Sequence, residues 1–273
     1  MSNAQSEPLG AIQHRRYFML PPRLVVPFYV DRNPHRQAEL DAALMFNLAI
    51  PFIGEFLIVC EGQECLEYVT PKLATASRCK VICVQSRPTF RQLIEIANEE
   101  EQAQLSISPD LSTFRRVTML INTDIALGQN MDLAVRELWR ESSRGTQAML
   151  VMSRYELASE YGEEPRLYMQ VGGGSHDLWG WVGCLSLPET VGNFYMGRIH
   201  CDGIFAMQMW QLGFSLKNPC LDAHIIHMHK TNIRNYSQAN IEDYVKGSRL
   251  GVTHRRIADP WDEADYYDDG TMV

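Results

Sequence analysis

Asp124 and the segment around His227 carry the side chains best suited to binding a diphosphate. Asp124 follows a hydrophobic, strand-like run, so its carboxylate must face a crevice or lose its hydration at a cost of roughly a few kcal/mol. A divalent cation that bridges phosphates would explain this carboxylate, because Mg²⁺ and Mn²⁺ prefer carboxylate oxygen and leave coordination positions for phosphate. Taken alone, Asp124 is more often a turn residue that bonds its own backbone.

A second group of candidate residues lies where a late strand is predicted to end. His227 and His229 point to the same face of that strand, and Lys230 and Arg234 add two permanent cations. Two such histidines more often serve packing than metal binding. Here, however, they form a local cationic pocket in an acidic protein, and that pocket suits a diphosphate.

The first half of the chain predicts the fold that positions these residues. Strand-like apolar runs alternate there with segments of helical periodicity, which is typical of a doubly wound α/β fold with right-handed crossovers. The predicted strands are Leu24–Val30, Phe56–Cys60, Val81–Val84 and Val117–Ile121. Helices are predicted from Asn33-Pro34 towards Asn47 and from Pro88 to Glu101, with a weaker, proline-interrupted crossover from Cys65 to Ala76. Ligands of such sheets bind at the carboxyl ends of the strands.

The second half of the chain is less regular. It predicts strands at Met149–Met152 and Ala223–Met228 and a helix that begins at Asp202 and ends at Gly213. The simplest organisation is one domain over residues 17–250, preceded by a flexible N-terminus over 1–16. An acidic tail over 251–273, without Lys or Arg from Asp259 onward, is expected to be flexible.

Composition narrows the function classes. The chain has 273 residues and a net charge of −8, so nothing in the average charge favours nucleic acid as a partner. Neither a GxGxxG dinucleotide motif nor a P-loop is present. The longest apolar stretch, Ile50–Cys60, is too short for a membrane span. The seven cysteines lack zinc-knuckle spacing and indicate reduced thiols in a cytoplasmic protein.

Five segments, in this order, resemble the nucleotide-sugar glycosyltransferases of the GT-A fold. Together they span roughly residues 23 to 236. The segments are Arg87-Pro88-Thr89-Phe90-Arg91 running to Ala97-Asn98, Ile121-Asn122-Thr123-Asp124-Ile125, Ser175-His176-Asp177-Leu178-Trp179, Cys201-Asp202-Gly203, and Asn218-Pro219 through His227-Met228-His229-Lys230 to Arg234-Asn235-Tyr236. The resemblance implies a GT-A-like, mostly parallel sheet with an irregular, acceptor-side second half.

The resemblance also implies a donor site. Asn122-Thr123-Asp124 falls at the DxD-like metal motif, with Asn in place of the first carboxylate, so Asp124 is the expected ligand of Mn²⁺ or Mg²⁺. His229 falls where such enzymes place a late histidine that completes the metal or diphosphate site. Residues implied to bind the nucleotide sugar are Pro27, Phe28, Tyr29, Glu61, Arg87, Thr89, Asn122, Lys230 and Arg234.

On the acceptor side, Asp202 resembles the general base of inverting family members, which removes the proton of the acceptor hydroxyl. A helix N-cap has the same sequence signature and is about equally supported. Asp177, in the loop after three glycines, is the reserve candidate. Trp179 and Trp181 either stack on an acceptor sugar or are core residues.

The leading hypothesis is therefore a metal-dependent, inverting glycosyltransferase that uses a nucleotide-diphosphate sugar and a glycan or other hydroxyl acceptor. A non-catalytic sugar- or nucleotide-binding protein of the same fold is the alternative, because the first carboxylate of the metal motif is missing. A nucleotidyltransferase would need a glycine-rich loop after the first strand, and Pro27 to Asn33 contains no glycine.

Overall fold

A computed structural model of the chain describes residues 18–107, 114–157, 166–167, 175–231, 245–261 and 266–268, with side chains described for all but 166–167 and 266–268. The helices of this part of the chain are α1 (Pro34–Leu48), α2 (Gly62–Leu73), α3 (Phe90–Ile107), α4 (Met131–Ser143) and α5 (Cys201–Gln211). Its strands are β1 (Phe18–Phe28), β2 (Glu55–Glu61), β3 (Cys79–Val84), β4 (Phe114–Ile121), β5 (Ile125–Leu127), β6 (Ala148–Met152), β7 (Tyr155–Glu156), β8 (Arg166–Leu167), β9 (Leu178–Val182), β10 (Ser215–Lys217), β11 (Ile225–His227), β12 (Leu250–Val252) and β13 (Tyr266–Asp268).

Within the described residues, seven strands form the main sheet in the order β10-β6-β9-β4-β1-β2-β3. Strand β9 runs antiparallel to β4 and β6, and the other neighbouring strands run parallel. The four strands predicted from the first half of the sequence are therefore adjacent and parallel, as expected. Because they are parallel, their carboxyl ends lie at one edge of the sheet.

Helices cover both faces of this sheet, and alternate residues of each central strand point to different faces. Leu24 and Val26 of β1 belong to a core cluster that includes α1, α2 and α4. Val25 belongs to a second cluster that includes α3 and α5. Burial on both faces explains why these strands are continuous apolar runs. None of the described helices has the length and apolar character needed to cross a membrane.

A smaller sheet extends from the carboxyl edge of the main one. Within it, β11 pairs antiparallel with β5 and parallel with β7. This register places His227 opposite Ile125 on one side and Glu156 on the other. Residues that are distant in sequence are thereby brought next to the turn that contains Asp124.

Both tryptophans of β9 are core residues. Trp179 is fully buried, with its ring edge-to-face on Phe90 at 4.8 Å between centroids. Trp181 lies on the same face of β9 and is 2% exposed. The packing alternative is therefore correct for both, and the suggestion that they stack on an acceptor sugar is wrong.

The C-terminal segment that begins at residue 251 was predicted to be flexible. The part of it that the structure describes is instead packed on the domain. Leu250 and Val252 are buried in β12, and Trp261 is 5% exposed. Lys217 is buried and donates to the carbonyl of Ile257 at 2.7 Å. Apolar side chains and a buried ammonium hold this segment on the domain, although the acidic composition suggested a solvated chain.

Thr89 begins α3 with a reciprocal capping arrangement. Its backbone N–H donates to Oε1 of Gln92 at 2.9 Å, and the backbone N–H of Gln92 donates to Oγ1 of Thr89 at 3.2 Å. This is the capping box expected of a Thr followed three residues later by Gln. Thr89, predicted to contact the nucleotide, therefore has a structural role at the carboxyl edge.

We expect Thr89→Ala to lower the free energy of unfolding by about 1 kcal/mol, because the hydroxyl that satisfies a helical N–H is lost. Thr89→Ser keeps that hydroxyl and should be close to wild type. Urea unfolding followed by circular dichroism measures both variants. Equal stability of the Ala and Ser variants would contradict the capping role.

Candidate active site

The predicted donor-side residues lie at one edge of the sheet. Tyr29 follows β1, Glu61 ends β2, and Asp124 lies in the turn between β4 and β5. Since β1, β2 and β4 are parallel, Glu61 and Asp124 are on the same edge rather than on opposite ones. This is the arrangement that the GT-A resemblance requires.

Asp124 and two histidines form a cluster with the composition of a metal site. His227 Nε2 lies 3.1 Å from Asp124 Oδ2, and His229 Nδ1 lies 3.9 Å from the same oxygen. One possible ligand atom from each residue lies within 4.8 Å of the others. Asp124 and His229 therefore lie close together in the structure, as predicted, although they are far apart in sequence. His227 belongs to the same cluster.

A carboxylate fixes the orientation of His227. Its Nδ1 lies 2.7 Å from Glu156 Oε2, so Nε2 is the nitrogen that faces Asp124. Metal-bound histidines usually have a carboxylate or carbonyl on the ring nitrogen that does not bind the metal. Burial opposes a charge on His227, but Asp124 and Glu156 outweigh it and raise the pKa of His227 to about 9.

His229 differs from His227 in its protonation. Burial, together with the charges of Arg36 and His227, lowers the pKa of His229 to about 4, so its imidazole is neutral at neutral pH. Its Nε2 is buried and makes no hydrogen bond to the described residues. A neutral imidazole with a buried, unsatisfied nitrogen fits a metal ligand. Once His227 has lost its proton, the donor set of one carboxylate and two imidazoles could hold a divalent transition-metal ion.

Arg36, in the first turn of α1, also contacts Asp124. Its Nη2 donates to Asp124 Oδ2, and its Nη1 donates to Glu39 Oε2 at 3.0 Å. Burial opposes ionisation of Asp124, but His227 and Arg36 together hold the pKa of this carboxyl far below its usual range. Asp124 is therefore a carboxylate at neutral pH.

Asn122 and Asp177 form a second hydrogen-bonded group beside the cluster. Asn122 Nδ2 donates to Asp177 Oδ1 at 2.6 Å, and Arg154 Nη1 donates to Asp177 Oδ2 at 2.8 Å. Arg154 also pairs with Glu156 at 2.7 Å. Asn122 thus holds Asp177 instead of contacting the cluster around Asp124. Both oxygens of Asp177 are engaged, which makes it a poor candidate for a base.

Asp202 is the more available of the two acceptor-side aspartates. Helix α5 begins at Cys201 after His200, which has a left-handed backbone (φ 70°), so Asp202 lies inside the first turn and is not the N-cap. Its Oδ2 accepts the backbone N–H of His176 at 3.0 Å. Burial and the charge of Asp177 raise the pKa of Asp202 to about 6. A carboxylate with this pKa is suited to accept a proton near neutral pH.

The remaining predicted donor-binding residues have different environments. Phe28 is 1% exposed and packs in the core, so its ring cannot contact a nucleotide, contrary to expectation. The carbonyl of Pro27 accepts the hydroxyl of Thr123 at 2.7 Å. Glu61 and Arg87 face each other at 3.9 Å, both partly exposed.

Two basic residues that follow His229, Lys230 and Arg234, were predicted to bind the nucleotide sugar. Lys230 is exposed, and its backbone N–H donates to Glu39 Oε1 at 2.7 Å. Arg234 lies outside the described residues. The side chain of Lys230 is thus available to an anion at this edge.

Three residues of the site were not predicted, and a fourth was expected only in the cationic pocket and not as a metal ligand. They are Arg36, Arg154, Glu156 and His227. All four contact Asp124, Asp177 or each other through side chains that are far apart in sequence. His227 had a visible signal because it shares a strand face with His229, and Arg154 and Glu156 had one because they lie just past the buried strand β6.

No family profile matches the sequence, and no curated protein is significantly similar to it. Among solved structures, GalNAc-T7 with UDP, GalNAc and Mn²⁺ is similar with a TM-score of 0.51 and 12% identity, over 82% of this chain and 47% of that one. The chain thus spans about half the length of that structure.

Two further solved structures have lower TM-scores. One is S. aureus TarS (1–349) in complex with UDP-GlcNAc, at 0.41 and 10% identity, over 83% of this chain and 62% of that one. The other is 4-diphosphocytidyl-2C-methyl-D-erythritol synthase, at 0.37 and 10% identity, over 81% and 95%. The GT-A-type fold expected from the sequence is confirmed by the likeness to GalNAc-T7.

Proposed function

We propose that the protein is a metal-dependent glycosyltransferase that moves a sugar from a nucleoside-diphosphate donor to a hydroxyl acceptor with inversion. The observation that carries the proposal is the cluster of Asp124, His227 and His229 at the carboxyl edge of a GT-A-type sheet. In the proposal, these three residues hold Mn²⁺ or Mg²⁺. The ion, when bound, would neutralise the charge that develops on the diphosphate as it leaves.

The protein's own residues supply the other functions. Glu156 keeps the Nε2 of His227 directed at the cluster. Tyr29, Glu61 and Arg87 lie at the strand ends where the nucleoside is proposed to bind, with the carbonyl of Pro27 beside them. The exposed ammonium of Lys230 provides further positive charge for the diphosphate. A cytoplasmic location, which the free thiols of all seven cysteines favour, is part of the same proposal.

Asp202 is the proposed general base. As the oxygen of the acceptor hydroxyl bonds to the anomeric carbon, the Asp202 carboxylate takes its proton and the bond from that carbon to the diphosphate breaks. A single displacement of this kind inverts the configuration of the carbon. The pKa of about 6 leaves Asp202 ionised at neutral pH while keeping it basic enough to accept the proton.

A second candidate is a non-catalytic donor-binding protein. The observation in its favour is Asn122, which replaces the first carboxylate of the metal motif and has its side chain bonded to Asp177. Transfer of sugar to any acceptor, or metal-dependent hydrolysis of a nucleotide sugar, would exclude this candidate.

A thermal-shift screen tests the proposed donor site. We expect one or more nucleoside diphosphates to raise the melting temperature by roughly 5–10 °C at about a hundred times their dissociation constant, and only with Mn²⁺ present. The matching nucleoside monophosphate and an EDTA-treated sample are the controls. An equal shift in EDTA would contradict the metal-dependent part of the proposal, and no shift with any diphosphate would contradict donor binding.

A further inference from the structure

Arg36 shares a carboxylate oxygen with the candidate metal ligands. Its guanidinium donates to Asp124 Oδ2, the same oxygen that lies 3.1 Å from His227 Nε2 and 3.9 Å from His229 Nδ1. The Arg36 side chain is only 7% exposed. In the structure, a permanent cation of the protein is therefore already bound to the carboxylate that a metal ion would use.

Arg36 is also held from its other side. Its Nη1 pairs with Glu39 at 3.0 Å, and Glu39 accepts the backbone N–H groups of Lys230 at 2.7 Å and Thr231 at 2.8 Å. These contacts connect α1 to the segment directly after His229. Arg36 thus stays beside the cluster even when its bond to Asp124 is broken.

A divalent ion bound to Asp124 Oδ2 and the Arg36 guanidinium, which contacts the same oxygen, would repel each other. The guanidinium remains charged at all accessible pH values, and the repulsion between like charges is strong in a partly buried site, where the effective dielectric constant is low. A metal ion entering the free protein must also displace Arg36 from Asp124. Both effects weaken metal binding as long as no anion is present.

A diphosphate removes both obstacles. Its oxygens accept charge-assisted hydrogen bonds from a guanidinium, often in pairs, and its negative charge screens the guanidinium from the metal. Arg36 can therefore exchange the carboxylate for phosphate oxygens while Glu39 keeps it in place. The oxygen of Asp124 then becomes available to the metal.

We propose that Arg36 is a positioning residue that makes metal binding conditional on the diphosphate, by holding Asp124 in the free protein and turning to the phosphates when a nucleoside diphosphate binds. The inference rests on the proposed metal-dependent donor site. It implies that the free protein binds Mn²⁺ weakly and that the metal and the diphosphate each strengthen the binding of the other by the same factor.

The test measures Mn²⁺ affinity from the electron paramagnetic resonance signal of the free ion, with the full chain, without nucleotide and with UDP, GDP or ADP in turn. Protein-free titrations measure how much Mn²⁺ the nucleotide itself binds in solution, and this amount is subtracted from the titrations with protein. Arg36→Gln removes the charge and Arg36→Lys keeps it. Arg140→Gln, on the exposed side of α4, removes an arginine whose side chain is 58% exposed and is the matched control.

Without nucleotide, Arg36→Gln should bind Mn²⁺ about tenfold or more tightly than wild type, because the repelling charge is gone. The gain in affinity on adding nucleotide should shrink accordingly. Arg36→Lys and Arg140→Gln should both bind free Mn²⁺ as weakly as wild type. This pattern would support the coupling.

Equal Mn²⁺ affinity of folded Arg36→Gln and wild type would overturn the inference and leave the proposed function intact. If Arg36→Gln does not fold, the wild type decides, since an Mn²⁺ affinity that no diphosphate changes also overturns the coupling. Absence of Mn²⁺ binding in wild type and every variant, with or without nucleotide, would contradict the metal-dependent transferase and the coupling together.

Discussion

Asp124→Asn should lower the affinity for Mn²⁺ by about 10²-fold or more and the transferase turnover by about 10³-fold, because a neutral amide is a poor ligand for a hard cation and the leaving diphosphate loses its counter-charge. The change is nearly isosteric. Arg36 retains its bond to Glu39 and His227 retains its bond to Glu156, so the protein should remain folded. Titration with Mn²⁺ and steady-state kinetics with a nucleotide sugar measure the two effects.

Asp132→Asn is the control for this prediction. Asp132 is a partly exposed carboxylate in the first turn of α4 and pairs with Arg136 on the surface at 3.4 Å. Its loss should change neither metal affinity nor turnover. If Asp124→Asn binds Mn²⁺ as wild type does, the metal assignment of Asp124 fails, and with it the proposed metal dependence.

The central strands of the fold were predictable from sequence because each is buried on both faces. Phe56 to Cys60 of β2 are all completely buried, which gives an unbroken apolar run. The start of β1 was not predicted, because Pro21 and Pro22 precede the apolar run and proline is uncommon inside a strand. In the structure a register irregularity between Leu20 and Arg23 accommodates both prolines and the strand continues to Phe18.

The environment of the two tryptophans in β9 could not be read from their own segment. Trp179 and Trp181 alternate with small and aliphatic residues, which is consistent with a ligand-binding edge as well as with a core strand. What decides between these is Phe90 of α3 and Phe205 of α5, whose rings pack on Trp179. Those partners come from distant parts of the chain, so local periodicity does not reveal them.

The site was predictable where a residue stands at a strand end and unpredictable where it acts through a distant partner. Asp124 and His229 follow strands, whereas Arg36 reaches Asp124 from 88 positions away and Glu156 reaches His227 from 71. Arg154 and Glu156 lie two and four residues past the end of β6. A charged pair just past a buried apolar strand is therefore the signal that could have identified them.

Asp202→Asn should lower turnover by about 10²-fold or more if Asp202 is the general base, since an amide cannot accept the acceptor proton. Donor and Mn²⁺ binding should stay near wild type, because Asp202 contacts the backbone of His176 and no residue of the metal cluster. Asp177→Asn serves as the comparison, since the carboxylate of Asp177 is already bonded to Asn122 and Arg154. Turnover that survives in Asp202→Asn would remove the reason for expecting inversion.

The pH dependence gives this assignment an independent check. With a pKa of about 6 for Asp202, kcat/KM of the wild type should fall as the pH drops below about 6, and this limb should be absent from the residual activity of Asp202→Asn. The contribution of Asp202 to the free energy of unfolding should change in the opposite direction and decrease as the pH rises. A carboxyl whose pKa is raised from 3.8 to about 6 by folding favours the folded state fully below pH 3.8, and that contribution is lost as the pH rises through about 6.

The stability of Asp202→Asn relative to wild type should therefore increase between about pH 4 and pH 7, by at most roughly 3 kcal/mol. Urea unfolding of both proteins across this range measures the difference directly. A base with a raised pKa must both lose activity in acid and destabilise the fold at neutral pH. A carboxylate that serves only to accept helical and loop N–H groups would instead stabilise the fold when ionised, so a difference of the opposite sign would identify Asp202 as a structural residue.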